Sequence, residues 1–389
     1  MVKRPRCSTG SLSDDELRET GKVGPNERIA RRLSVDVPVA RALHQALVED
    51  LAPERGIAWW HPVTDDCGPA ARRTAILVAD HLTHAAGALP DFLLEARLHL
   101  MDLIDAWAGQ DEKWKDYYVA DGSPRSVPAT RSIADDLDQV QDDLHITGFF
   151  RALAQTLDCL ASVIIGVADL EAKIQAASRG PINNEPEKLK TQPAAVGETA
   201  ARLRQAQLEA GPEGWLTWVV DMRNMLMHRP RMLDLTDQKF GDAPPRSEAE
   251  LRQNFRLVHH LPRFPTHSLV ESFVLGLQDL RVKYLGEDAQ VTLEGAVAST
   301  GALVDQSCEA LLNLWLARRA DAALQPQYHL TVQWKKKPPP GDGFSGFETE
   351  STTFEVGEIL INSQVGDRLI AAGIDDERRG ATWGNAASD

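Results

Sequence analysis

The sequence predicts an all-α chain: a helical bundle with an additional amino-terminal helical region and a small carboxy-terminal β-hairpin. Apolar residues recur at three- and four-residue spacing through most of residues 34–325. β-branched and aromatic runs are confined to the tail. With 389 residues, the chain is long enough for two or three cores.

Residues 1–33 are polar and read as a flexible leader, with one capping box at Ser13 and Glu16. Residues 34–127 form the amino-terminal helical region. Leu43, Leu47 and Leu51, then Ile76 and Leu82, then Phe92, Leu93, Leu100 and Leu103 mark three helices. Gly87 to Pro90 is expected to be a helix-to-helix turn, with Pro90 in the first turn of the third helix. Residues 128–325 form the main bundle. Its centre is the apolar stretch Phe149 to Leu170, followed by helices over Ala200 to Ala210 and Gly214 to His228. A further helix is expected from Ser247, opened by the capping box Ser247 and Glu250, and long helices over Leu269 to Tyr284 and Val291 to Leu324. Residues 326–389 carry the hairpin, Tyr328 to Trp334 and Thr352 to Ile361, and a polar end.

Composition narrows the function. Lys and Arg number 42 against 57 Asp and Glu, a net charge of −15, so a polyanion could be held only by a local patch. Cys7, Cys67, Cys159 and Cys308 show no metal or disulfide spacing. No uncharged apolar run approaches a membrane span, and the basic start runs into Ser and Asp, so a cytoplasmic protein with no membrane partner is expected. Arg outnumbers Lys 30 to 12, a bias common in GC-rich bacteria. His81, His84, Glu95 and His99 could meet at a metal only across a turn at Pro90, and no metal-binding motif accompanies them. No metal or cofactor is expected.

The segment Trp215 to Arg231 carries the chemistry. Arg223 and Asn224 are followed by His228, and Asp221, Asn224 and His228 stand at i, i+3 and i+7 on one helical stripe, with Val219 and Met222 on the buried side. The Asn224 amide is one turn from His228, within reach to orient it. Pro230 ends the helix and leaves Arg229 and Arg231 just beyond. An Arg-to-His spacing with four to six intervening residues also occurs at Arg55 and at Arg252. Requiring Asn directly after Arg lowers the chance expectation of the tighter spacing to about 0.02.

This pattern resembles the HEPN superfamily (higher eukaryote and prokaryote nucleotide-binding domains), whose ribonuclease members carry Arg, a polar residue and a following His. The resemblance would cover roughly residues 130–325. It implies a helical bundle in which two protomers build one composite site, hence a homodimer, and a metal-independent endoribonuclease with Arg223, Asn224 and His228 as its catalytic set. It further implies RNA as substrate and a toxin or phage-defence role, with an antitoxin or regulatory partner. The alternative is a non-catalytic nucleotide-binding or scaffolding module of the same fold. Arg229 and Arg231, with Arg252, Arg256 and His259 on one face of the helix after Ser247, would hold RNA. Between Met222 and His267 there are 8 basic and 5 acidic residues. Gly341 to Gly346 matches a dinucleotide loop only in letters, since no helix is expected after it. Lys335 to Lys337 reads as a solvated linker and Trp59-Trp60 as core packing.

Overall fold

The computed structural model describes residues 36–52, 68–115, 133–170, 174, 194–228, 235–239, 247–265, 269–324 and 366. Among these the protein is mostly helical, with one small two-stranded antiparallel sheet. The leader, Trp59-Trp60, Arg229, Arg231, the Lys335 linker, the Gly341 loop and the expected hairpin lie outside the described residues.

Helix α1, Pro38–Asp50, begins with proline in its first turn, where a missing N–H costs nothing. Its own cap position is Val37, which offers no side-chain acceptor. A distant carboxylate does instead: Asp305 Oδ1 accepts from Val39 N at 2.9 Å and Ala40 N at 3.3 Å. At the other end the buried Asp50 accepts from the indole of Trp315 at 2.8 Å and from Arg319 at 2.9 Å. Leu43, Leu47 and Leu51 fill the space between.

The expected turn at Gly87 to Pro90 does not form. Helix α2 runs unbroken over Gly68–Lys115 with Pro90 inside it, about 72 Å at 1.5 Å per residue. An interior proline loses one helical hydrogen bond and costs about 3 kcal/mol. Burial of Leu89 and Leu93 on either side opposes that cost. Gly87 serves a contact instead of a turn, because a Cβ there would sit 3.0 Å from the His44 ring of α1. His81 and His99 therefore lie far apart on one helix, and the conditional metal grouping is not assembled. Among the described residues no group of three or more metal-ligating side chains is placed to hold an ion.

Helix α3, Ile133–Ala168, pairs antiparallel with α2: Lys113 meets Asp138, Gln110 meets Asp142, His99 meets His145 and Arg151 meets Glu95. Gly148 and Gly166 let the two backbones close, since a Cβ at either would run into His99 or Leu82. The helix ends at Asp169, φ +53, with Leu170 N bonding back to Ile165 O at 3.1 Å. The buried Arg318 donates to its last carbonyls, Val167 O and Ala168 O. The stretch Leu137–Ala168 contains an 18-residue window long and apolar enough to span a bilayer, where the sequence offered no such run, but 78% of that window is buried in the bundle.

Helix α4, Ala194–Glu209, begins six residues before the expected Ala200, and α5, Trp215–His228, follows within a residue of its expected bounds. The last long helix, α9, spans Ala289–Ala320 and packs on α1, α2, α3 and α4. One hydrophobic core reaches from Val37 to Trp315, so residues on both sides of position 128 share it.

Between α5 and α9 the structure departs from the expected helices. Strand β1, Leu235–Lys239, pairs with β2, Arg256–His260, with Leu235 opposite His260 and Lys239 opposite Arg256. The Ser247 cap is present, its hydroxyl accepting from Glu250 N at 3.1 Å. The helix it opens, α6, covers only Glu248–Asn254. In place of one helix over Leu269 to Tyr284 there are two short ones, α7 (Leu269–Val274) and α8 (Leu280–Lys283), separated by a turn containing Gly276 at φ +71.

Candidate functional site

Helix α5 is entered through Gly214, whose φ of +83 suits glycine. Leu216, Val219, Met222 and Met225 are buried, and α5 lies on the apolar helix α3. Trp218 fixes its near end, packing edge-on against Phe150 and donating its indole N–H to Pro262 O at 2.9 Å.

On the half-buried shoulder of this helix the Arg223 guanidinium donates from Nη1 to Asn224 Oδ1 at 2.9 Å. Asn224 thus engages the arginine next to it, whereas the spacing suggested that it would orient His228. The Arg223 Nε is buried with no hydrogen-bond partner, so the guanidinium retains donor capacity. A rigid, partly desolvated Arg fork suits phosphoryl oxygens. His228 is the last residue of α5; its side chain lies outside the described residues, as do Arg229 and Arg231.

The basic stripe of Arg252, Arg256 and His259 is not on one helical face. Arg252 is exposed on α6, whereas Arg256 and His259 belong to β2. Three residues apart on a strand places them on opposite faces. Arg256 is exposed and 3.9 Å from Asp288, while His259 is buried and stacked on Trp107, with ring centroids 4.3 Å apart and 10° between planes. His259 is thereby withdrawn from any RNA-binding surface.

His259 belongs to a polar seam that the sequence did not announce. The end of α2, the first half of α3 and β2 meet there. Asp142 Oδ2 accepts from Gln110 at 2.9 Å, and Asp111 Oδ1 accepts from Leu257 N at 2.6 Å. His259 Nε2 is buried without a partner, and the Trp107 side chain also engages the Asp142 carboxyl. Burial drives the Asp142 carboxyl up to about 6, the Gln110 bond opposing and Asp138 and Asp143 adding to the rise. Burial likewise drives His259 down to about 4, with Asp288 opposing. Asp111 is also raised by burial. At neutral pH the seam holds an uncharged imidazole and a carboxylate that ionises reluctantly.

A second pair lies along the α2–α3 seam. His99 Nδ1 and His145 Nδ1 are 3.2 Å apart, so one donates and the other accepts. Glu95 is 3.9 Å from His99 and Asp102 is 3.8 Å from His145. Burial, and then the neighbouring His145, lower the His99 pKa. The signal for both clusters was the pairing of α2 with α3, hidden by the expected break at Pro90.

Compared with known proteins, the chain matches no family model, no curated protein and no solved structure.

Proposed function

We propose that the chain is a metal-independent endoribonuclease of HEPN type, working as a homodimer with a composite site. The observation that carries this reading is the Arg223–Asn224 pair on the helix ending in His228, with α5 lying on the long apolar helix α3. Arg223 would hold the scissile phosphate through its half-buried guanidinium. His228 would take the 2′-hydroxyl proton as the 2′-oxygen attacks phosphorus. A second His228, supplied by the other protomer, would protonate the departing 5′-oxygen as the P–O5′ bond breaks. The products are a 2′,3′-cyclic phosphate and a 5′-hydroxyl. Arg252 and Arg256, exposed on α6 and β2, together with Arg229 and Arg231, would supply backbone contacts. A toxin or phage-defence role, held in check by an antitoxin or regulatory partner, belongs to the same proposal.

The net charge of −15 favours the second reading, a nucleotide-binding or scaffolding module without turnover. Incubating the full chain with end-labelled RNA in EDTA separates the two. The expected outcome is cleavage to cyclic-phosphate ends, reduced roughly 100- to 10,000-fold in His228→Ala, the range spanned by general acid–base catalysis, and comparably in Arg223→Ala, with unchanged circular dichroism. RNA left intact by the wild type, or cleavage that chelation abolishes, would overturn the ribonuclease reading.

A further inference from the structure

The half-buried pair His99 and His145, one ring from α2 and one from α3, shares a single proton position. Nδ1 faces Nδ1 at 3.2 Å while the ring centroids are 5.5 Å apart. The two ring radii take up the rest of that distance, so both nitrogens lie close to the line joining the centroids. This is the geometry of an N–H aimed at a lone pair. A chelated ion would need both lone pairs to converge on a point off that line.

Two of the three charge states of the pair fit this arrangement. With no added proton a neutral ring donates to a neutral ring, and with one an imidazolium donates to an imidazole. With two, both Nδ1 atoms carry hydrogen and face each other, so the bond is lost and like charges meet.

His99 has no room to withdraw. Its Nε2 and Cε1 edge lies against Gly148 of α3, where even a Cβ would collide with the ring. Ala96, Leu100 and Leu103, its neighbours on α2, are buried. The charges placed against the pair are Glu95 and Asp102 from α2 and Arg151 from α3. Glu95 Oε1 is 3.9 Å from His99 Nε2, but the same oxygen accepts from Arg151 at closer range, so its charge is already matched. Asp102 is exposed and 3.8 Å from His145, which suits a first proton held on His145.

We propose that this pair is a proton-operated latch in the α2–α3 seam: the second proton parts the two rings and, with His99 held against Gly148, parts the two helices at that level. Burial, and next His145, hold the His99 pKa below its ordinary 6.5, with Arg151 adding to the fall and Glu95 and Asp102 opposing it. His99 therefore binds its proton less tightly folded than unfolded. The contribution of the closed latch is complete above pH 6.5 and is lost as pH falls below it. The latch does not depend on the ribonuclease reading.

The test is hydrogen exchange by mass spectrometry on the full chain at about pH 7.5 and about pH 5, on either side of the ordinary histidine range, with rates corrected for the intrinsic effect of pH. Protection of residues 95–102 and 145–151 is expected to fall about tenfold or more on acidification, since one pK unit of coupling within the pair is a tenfold change. His145→Gln keeps a donor and an acceptor beside His99 but takes no proton, and is expected to hold that protection level between the two conditions. Should it fail to fold, His99→Gln makes the same measurement. Equal protection in the wild type at both pH values overturns the proposal, as does a loss that the glutamine variant retains. Asp142 and His259 titrate over an overlapping range, and a loss centred on residues 107–111 and 138–142 would assign the effect to them instead. The competing occupant is a metal ion, probed with Zn²⁺ alone at neutral pH. Micromolar binding that His145→Gln abolishes would make the pair a metal ligand and overturn the latch.

Discussion

Asp142 and His259 pull stability in opposite directions as pH changes. The Asp142 carboxyl, raised to about 6 from 3.8, binds its proton more tightly in the folded state. Its contribution is therefore present at low pH and lost as pH rises from about 4 to about 6, leaving a buried carboxylate that costs roughly 2 to 3 kcal/mol above that range. His259, lowered to about 4 from 6.5, resists protonation when folded. Its penalty is complete below pH about 4 and disappears as pH rises through 6.5. Between these limits the two slopes cancel in the wild type. Asp142→Asn keeps an acceptor for Gln110, and is expected to stabilise the protein by about 2 to 3 kcal/mol at pH 8 and to leave stability rising with pH from 4 to 6.5. His259→Phe keeps the stack on Trp107 and is expected to leave the opposite slope. Urea midpoints across this range check both, and parallel profiles for wild type and variants would contradict the assignment. Arg223 and Asn224 were legible as neighbours in one motif, although the spacing aimed Asn224 at His228 and the structure joins it to Arg223. Asp142 was not, because its side-chain partners Trp107 and Gln110 lie more than thirty residues away on another helix.

A helix can be stabilised by a residue distant in sequence, and α1 is such a case. Its cap position, Val37, supplies no acceptor, so the N–H groups of Val39 and Ala40 depend on Asp305 of α9. Asp305→Ala leaves two donors at the α1 amino terminus and removes a carboxylate from the positive end of the helix dipole, an expected loss of about 1.5 to 3 kcal/mol. Hydrogen exchange should quicken first in α1 and leave α2 protected. An even loss across the molecule would show that Asp305 is not acting as a cap. Most long helices were legible from apolar periodicity, which local sequence records directly. Two features were not. Gly87 and Pro90 have the composition of a turn, but the helix passes through them because Leu89 and Leu93 are held in the core. Arg252, Arg256 and His259 have helical spacing, yet residues 256–260 pair with β1 because a partner strand at 235–239 and the end of α2 cover Leu257, Val258 and His259. Neither partner can be read from the segment itself.

At the scale of the whole molecule, the net charge of −15 distinguishes an apolar self-contact from a phosphate contact by salt. Two copies meeting in the proposed homodimer repel through their charge. That repulsion acts over about 10 Å at 0.1 M salt and about 3 Å at 1 M. Added salt is therefore expected to tighten an apolar dimer contact. RNA contacts through Arg223, Arg252 and Arg256 release counterions and must weaken as salt rises, by about fivefold per tenfold in salt for each phosphate neutralised on a single strand. Sedimentation velocity and RNA binding by a His228→Ala variant, measured across one salt series, should give slopes of opposite sign. If the dimer dissociates as salt rises, its interface is held by ion pairs. If RNA binding is indifferent to salt, Arg223 is not holding a phosphate, and the nucleotide-binding module without turnover gains the argument.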